Sequence, residues 1–135
     1  MELLFIDINS KKSKPKATIH LTGKLGFNLE AADLMGLSDA SYYRIAIDKE
    51  RDGIKNVYLV ESRESESGVA KVAKAGKYYY LNIVSVFDDL KLEYTTYTIM
   101  FDIEESSYEG ERMFILKKRS KDLPRKGNEK ESQNE

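Results

Sequence analysis

Apolar residues in this chain recur with a period of two in several short runs, a pattern that suits a half-buried β-sheet and disfavours a helical fold. Ile45 and Ile47, Val57 and Leu59, Ile99, Phe101 and Ile103, and Phe114 and Leu116 each put apolar side chains on one face of a strand. Turn residues divide the strand pairs, Arg51-Asp52-Gly53 in the first and Tyr108-Glu109-Gly110 in the second. Leu3, Phe5 and Ile8 predict a further edge strand, followed by a Lys-rich linker from Lys11 to Lys16.

Two segments switch to the helical period. Ile83, Val86, Phe87 and Leu90 fall on one helical face, and Ser85 with Asp88 three residues on has the form of a capping box. Earlier in the chain, Asn28 is placed as an N-cap, Glu30 favours a first turn, Leu29, Ala32 and Met35 form a narrow apolar stripe, and Gly36 is a C′ glycine. Two short helices are therefore expected among the strands.

The elements recur. Gly23-Lys24, Asn28-Leu29, Leu37 and Tyr43 return as Gly76-Lys77, Asn82-Ile83, Leu92 and Tyr97, 53 to 55 residues later. Each unit reads strand, short helix, strand, strand. One unit alone buries little apolar surface, so two copies packed about a pseudo-twofold axis are expected. The fold class is thus α+β: two β-α-β-β repeats, at about 16–62 and 68–119, forming a small β-barrel or packed sheets within a single domain over 1–124. Residues 125–135 carry no apolar side chain apart from the aliphatic stems of their charged ones, and read as a disordered tail.

Composition narrows the chemistry. The absence of Cys excludes disulfides, thiolate zinc sites, iron–sulfur clusters and Cys nucleophiles, and one His cannot supply a multi-His metal site. A non-enzymatic protein without cofactor or metal is expected. Apolar runs fall short of the ~18–20 residues that span a bilayer, and Met1–Asp7 lacks the basic start and long apolar centre of a signal peptide. These features lead to the expectation of a cytoplasmic protein with no membrane partner.

The segment Gly23-Lys-Leu-Gly-Phe-Asn-Leu-Glu-Ala-Ala-Asp-Leu-Met-Gly-Leu-Ser-Asp-Ala-Ser-Tyr-Tyr-Arg-Ile-Ala-Ile47 resembles the strand, short helix, strand core of the AbrB-like swapped-hairpin DNA-binding proteins. It is also similar to their duplicated relatives, the double-psi and other cradle-loop barrels. That resemblance implies a barrel and DNA binding. The duplicated strands with Lys and Tyr clusters also resemble Whirly-like single-strand binders.

Net charge is −1 with His neutral, yet the charges are segregated along the chain. Residues 10–24 hold five Lys and no acid, residues 117–126 sum to +5, and residues 86–111 hold eight acids against Lys91. Within this pattern, Lys74, Lys77, Tyr78, Tyr79 and Tyr80 are the most distinctive cluster. A strand there puts Tyr78 and Tyr80 on one face, suited to base stacking beside phosphate-attracting Lys. The same tyrosines also fit an ordinary strand that buries its rings.

Tyr42, Tyr43 and Arg44 hold the matching edge of the first repeat, so the two clusters are expected to share one surface. Lys11, Lys12, Lys14 and Lys16, and Lys117, Lys118, Arg119 and Lys121, fit either phosphate contacts or solvated charges. Gly23-Lys24-Leu25-Gly26 lacks the spacing of a phosphate-binding loop and reads as a tight turn or bulge. Asp88, Asp89 and Glu93, and Asp102, Glu104 and Glu105, suit a hard cation or an acid/base pair, or simply solvated faces. His20, between Ile19 and Leu21, reads as a strand residue pointing away from both.

The leading expectation is a small nucleic-acid-binding module, a single-strand binder or a transcription-regulator-like protein. Its contacts would be Lys24, Tyr42, Arg44, Lys74, Lys77, Tyr78, Tyr80, Lys117, Lys118 and Arg119. The alternative is a protein-interaction or structural module, a homo-oligomer held by its segregated charges.

Overall fold

The structure, a computed structural model, describes residues 1–5, 14–48, 56–63 and 67–125. Its elements are β1 (Lys16–Ile19), β2 (Leu25–Phe27), α1 (Leu29–Met35), β3 (Tyr42–Ile47), β4 (Asn56–Ser62), β5 (Val69–Lys71) and β6 (Ala73–Ala75). They continue as β7 (Tyr78–Leu81), α2 (Val84–Asp89), β8 (Tyr97–Tyr108), β9 (Glu111–Lys118) and β10 (Leu123–Pro124). The expected turn at Arg51-Asp52-Gly53, the residues Ile8, Lys11 and Lys12, and the tail from Lys126 on lie outside the described residues.

All pairings are antiparallel, in the order β5-β3-β4-β9-β8-β1-β2-β7-β6, with β10 beside β8. Only Val72 separates β5 from β6, so the first and last strands of that order are one kinked run of chain. Pairing β3 on one side and β7 on the other, this run brings the sheet round into a nearly closed barrel. Closure leaves few unpaired strand edges.

The alternation expected from sequence fills the interior. Val57, Leu59, Ile99, Phe101, Ile103, Phe114 and Leu116 are all buried, and Ile45 and Ile47 pack half-buried against them. Phe87 of α2 lies on Phe101 with ring centroids 6.4 Å apart, and Tyr43 meets Phe114 edge-on at 6.3 Å. The β8–β9 turn carries positive φ at Glu109 and Gly110, which a two-residue hairpin of this twist requires.

The helices start and stop differently. Asn28 caps α1 as expected: its Oδ1 accepts from the Ala31 N–H at 2.9 Å and from the Lys16 N–H at 3.0 Å. Gly36 ends that helix in the left-handed region. The buried face of α1, however, is Ala31 and Met35, while Leu29 is half exposed, because the helix lies against β1 and β2 one position round from the expected stripe. In α2 the helical face of Ile83, Phe87 and Leu90 is buried with Val86 against it, but no side chain caps the N-terminus. Ser85 falls inside that helix rather than ahead of it, so the capping box does not form.

Two further expectations are revised. Met1–Phe5 joins no strand, and its large apolar side chains stand in solvent. β1 ends at Ile19, and His20 opens a turn whose ends are tied by His20 N–H to Lys24 O at 2.8 Å; Leu21 is exposed. Arg125, which the sequence groups with the tail, is held to the barrel by hydrogen bonds to the carbonyls of Tyr94, Thr96 and Ile19.

Candidate nucleic-acid interface

The outer face of the β2–β7 pair carries the residues best suited to a ligand. Leu25, Phe27 and Leu81 point into the core, so alternation turns Gly26, Tyr78 and Tyr80 outward. Gly26 is the direct partner of Tyr80, and the missing side chain leaves a floor beside the ring. Thr18, partner of Gly26 on the other side, His20, Lys24 and Asn28 complete a cleft of about 560 Å³. Its described lining contains no acidic residue.

Cations sit against the rings. Lys24 Nζ lies 4.8 Å from the centroid of Tyr80, and Lys77 Nζ lies 5.6 Å from that of Tyr78, which is 52% exposed. Neither lysine has an ion-pair partner among the described residues. Lys74 is separated from this pair: it shares the side of Tyr79, 5.7 Å over a ring packed against the core.

Tyr42 and Arg44 lie away from the cleft. Tyr42 faces Lys71 on β5, at 5.8 Å, while Arg44 belongs to an outer face with Tyr58 and Met113. Tyr43 is a core residue, and its hydroxyl is pushed well above the usual tyrosine range by burial and then by the nearby Glu61 carboxylate. The kinked β5–β6 run separates the two tyrosine clusters, so they do not line one cleft.

The basic C-terminal run is occupied within the chain. Asp102 is the ladder partner of Lys117 and Glu104 that of Ile115, which sets the acidic strand β8 beside the basic strand β9. Lys117 pairs with Glu104, and Lys118 with Asp122 at 2.9 Å. Arg119 forks onto both carboxylate oxygens of Asp102, at 3.0 and 3.3 Å, and holds that carboxyl below the usual range. Segregation along the sequence thus becomes neutralisation across adjacent strands.

Arg112 performs a similar office at the far end of β9. It stacks 4.9 Å over Phe114, reaches Glu61 and Glu105 at 3.3 and 3.1 Å, and donates to Leu34 O at the end of α1. Among the described residues no three His, Asp or Glu side chains converge as metal ligands. No described helix is long and apolar enough to cross a membrane.

Sequence reasoning does not find His20, Thr18 or Gly26 as site residues. It puts His20 on a strand, whereas the turn lays the imidazole across Gly26, whose missing side chain makes the room. The short interval from His20 to Gly26, which suits a hairpin, is the one signal for it in the sequence. Comparisons of the chain with protein-family models, with curated proteins and with solved structures found no match.

Proposed function

We propose that this protein binds single-stranded nucleic acid on the outer face of β2 and β7. The observation that carries this reading is the pair Tyr78 and Tyr80, turned outward two residues apart and flanked by Lys24 and Lys77. Two residues of strand span about 7 Å, so each ring can take its own unstacked base. The lysines supply the phosphate attraction and the salt dependence. A duplex shields its base faces by stacking, so a ring-based site of this kind favours single strands.

The same reading includes a duplicated, swapped-hairpin type of barrel. Several features support it. β1 pairs β2 of its own half and β8 of the other; the β5–β6 run pairs β7 of its own half and β3 of the other. Exchanging the halves leaves the strand order unchanged, with Gly26 opposite its counterpart Tyr80 and Leu59 opposite its counterpart Phe114. Both helices end alike, with positive φ at Gly36 and Lys91 and hydrogen bonds from Leu37 to Ala32 and from Leu92 to Phe87. The ladders match Tyr43 with Ile103 rather than with Tyr97, so the Tyr43–Tyr97 match is set aside.

Fluorescence anisotropy with labelled single- and double-stranded DNA and RNA tests the function. Saturable, salt-sensitive binding to single strands is expected, weakened by about 1–3 kcal/mol per stacked base on Tyr78→Ala and Tyr80→Ala. No binding at low salt overturns the reading.

A further inference from the structure

One apolar surface and one apolar segment of this chain remain without partners. The surface is the outer face of β3, β4 and β9, a cleft of about 500 Å³ lined by Arg44, Ala46, Tyr58, Val60, Tyr108 and Met113. Tyr108, at the tip of the β8–β9 hairpin, is half exposed beside it. The segment is Met1–Phe5, in which Leu4 and Phe5 are each 87% exposed and Met1 and Leu3 also stand in solvent. An extended segment of this composition turns Met1, Leu3 and Phe5 to one side, the pattern of a strand seeking an apolar face.

We propose that this outer face binds the Met1–Phe5 segment of a second copy of the chain, each copy lending its segment to the other. The segment stands clear of its own barrel, so its own chain does not cover it. The charges agree: Arg44 is the one charged side chain among those described in the cleft and has no ion pair among the described residues, and Glu2 is the one charged side chain of the segment. Residues 6–13 separate Phe5 from Lys14, a length of chain that spans at most about 30 Å and so reaches a neighbouring barrel. Reciprocal exchange buries two segments in two faces under one twofold axis, the closed arrangement favoured by homodimers. This surface is distinct from the Tyr78–Tyr80 cleft, and the proposal does not rest on nucleic-acid binding.

Sedimentation or light scattering of the full chain at micromolar concentration tests it. The expected mass is twice the 15.5 kDa of one chain. Leu3→Ser with Phe5→Ser, at side chains exposed in the single chain, weakens the dimer at least about tenfold. Met113→Glu does the same from the other side. Because Met113→Glu can disturb folding, a charge exchange serves as the second arm: Glu2→Arg and Arg44→Glu each weaken the dimer several-fold, and together they restore it. A monomeric wild-type chain overturns the proposal, as does a dimer indifferent to Leu3→Ser with Phe5→Ser. Failure of the charge exchange to restore the dimer overturns the Glu2–Arg44 pairing on which the choice of occupant rests.

Discussion

Gly26 and Tyr80 are direct partners across the β2–β7 ladder, and the imidazole of His20 occupies the space a side chain at Gly26 would fill. A Cβ at Gly26 would overlap His20 Nε2. The obstacle is the tip of a flexible side chain, so Gly26→Ala moves the ring rather than the backbone. Alanine in place of glycine within a strand gains about 0.5–1 kcal/mol, which offsets the displacement. Global stability in urea is therefore expected to change by less than about 1 kcal/mol. Single-strand affinity falls because the displaced ring crowds Tyr80. Unchanged affinity would remove the Gly26 floor from the site.

The lysines divide into two groups with opposite expectations. Lys24 and Lys77 have no acidic partner among the described residues, whereas Lys117, Lys118 and Arg119 are held by Glu104, Asp122 and Asp102. Lys24→Gln with Lys77→Gln is expected to lower the salt slope of binding by about one for each phosphate that the variant no longer neutralises. Replacing Lys117, Lys118 and Arg119 with Gln leaves the slope nearly unchanged, because their charge is already balanced in the fold. Anisotropy titrations at several salt concentrations separate the two groups. The reverse ranking would move the site to β9.

That division also marks how far the sequence is legible. Period-two alternation identifies the core side chains of β4, β8 and β9, because burial on one sheet face acts at the level of single residues. The same alternation places Tyr78 and Tyr80 on one face. What brings Lys24 to Tyr80 is the pairing of β2 with β7, a contact between distant parts of the chain that no local pattern encodes. The register of β8 on β9 likewise sets Asp102 against Lys117, so charge runs that look like open patches are mutually neutralised. Sequence proximity groups Tyr43 with Tyr42 and Arg44, yet alternation along β3 alone sends it inward against Phe114.

The fork of Arg119 on Asp102 gives a dependence on acid. Its guanidinium favours the charged carboxylate and lowers the Asp102 pKa, so the contribution is present above the unfolded value of about 3.9. It is lost as pH falls through the lower, folded value. Side-chain exposures of 50% for Asp102 and 37% for Arg119 keep the pair to less than about 1 kcal/mol. Asp102→Asn is expected to lower the urea midpoint at pH 7, with the gap to wild type closing below about pH 4. A gap that persists in strong acid would assign the effect to packing instead.

Tyr43 gives the corresponding dependence on base. Burial favours its neutral hydroxyl, Glu61 reinforces that preference, and the folded pKa stands well above the ordinary value. Stability from this group is therefore complete below the unfolded pKa of about 10 and declines as pH rises toward the folded value, by up to about 1.4 kcal/mol per pH unit. Tyr58, through its hydrogen bond to Asp48, and Tyr94, through its bond to Asp88, act in the same direction. Tyr43→Phe keeps the ring on Phe114 and removes the ionisable group. Urea midpoints at pH 8 and pH 11 are expected to show a smaller alkaline loss for the variant than for wild type, of about 1 kcal/mol. Equal losses would mean that Tyr43 ionises no differently folded than unfolded, and the buried edge-on contact with Phe114 would then be wrong.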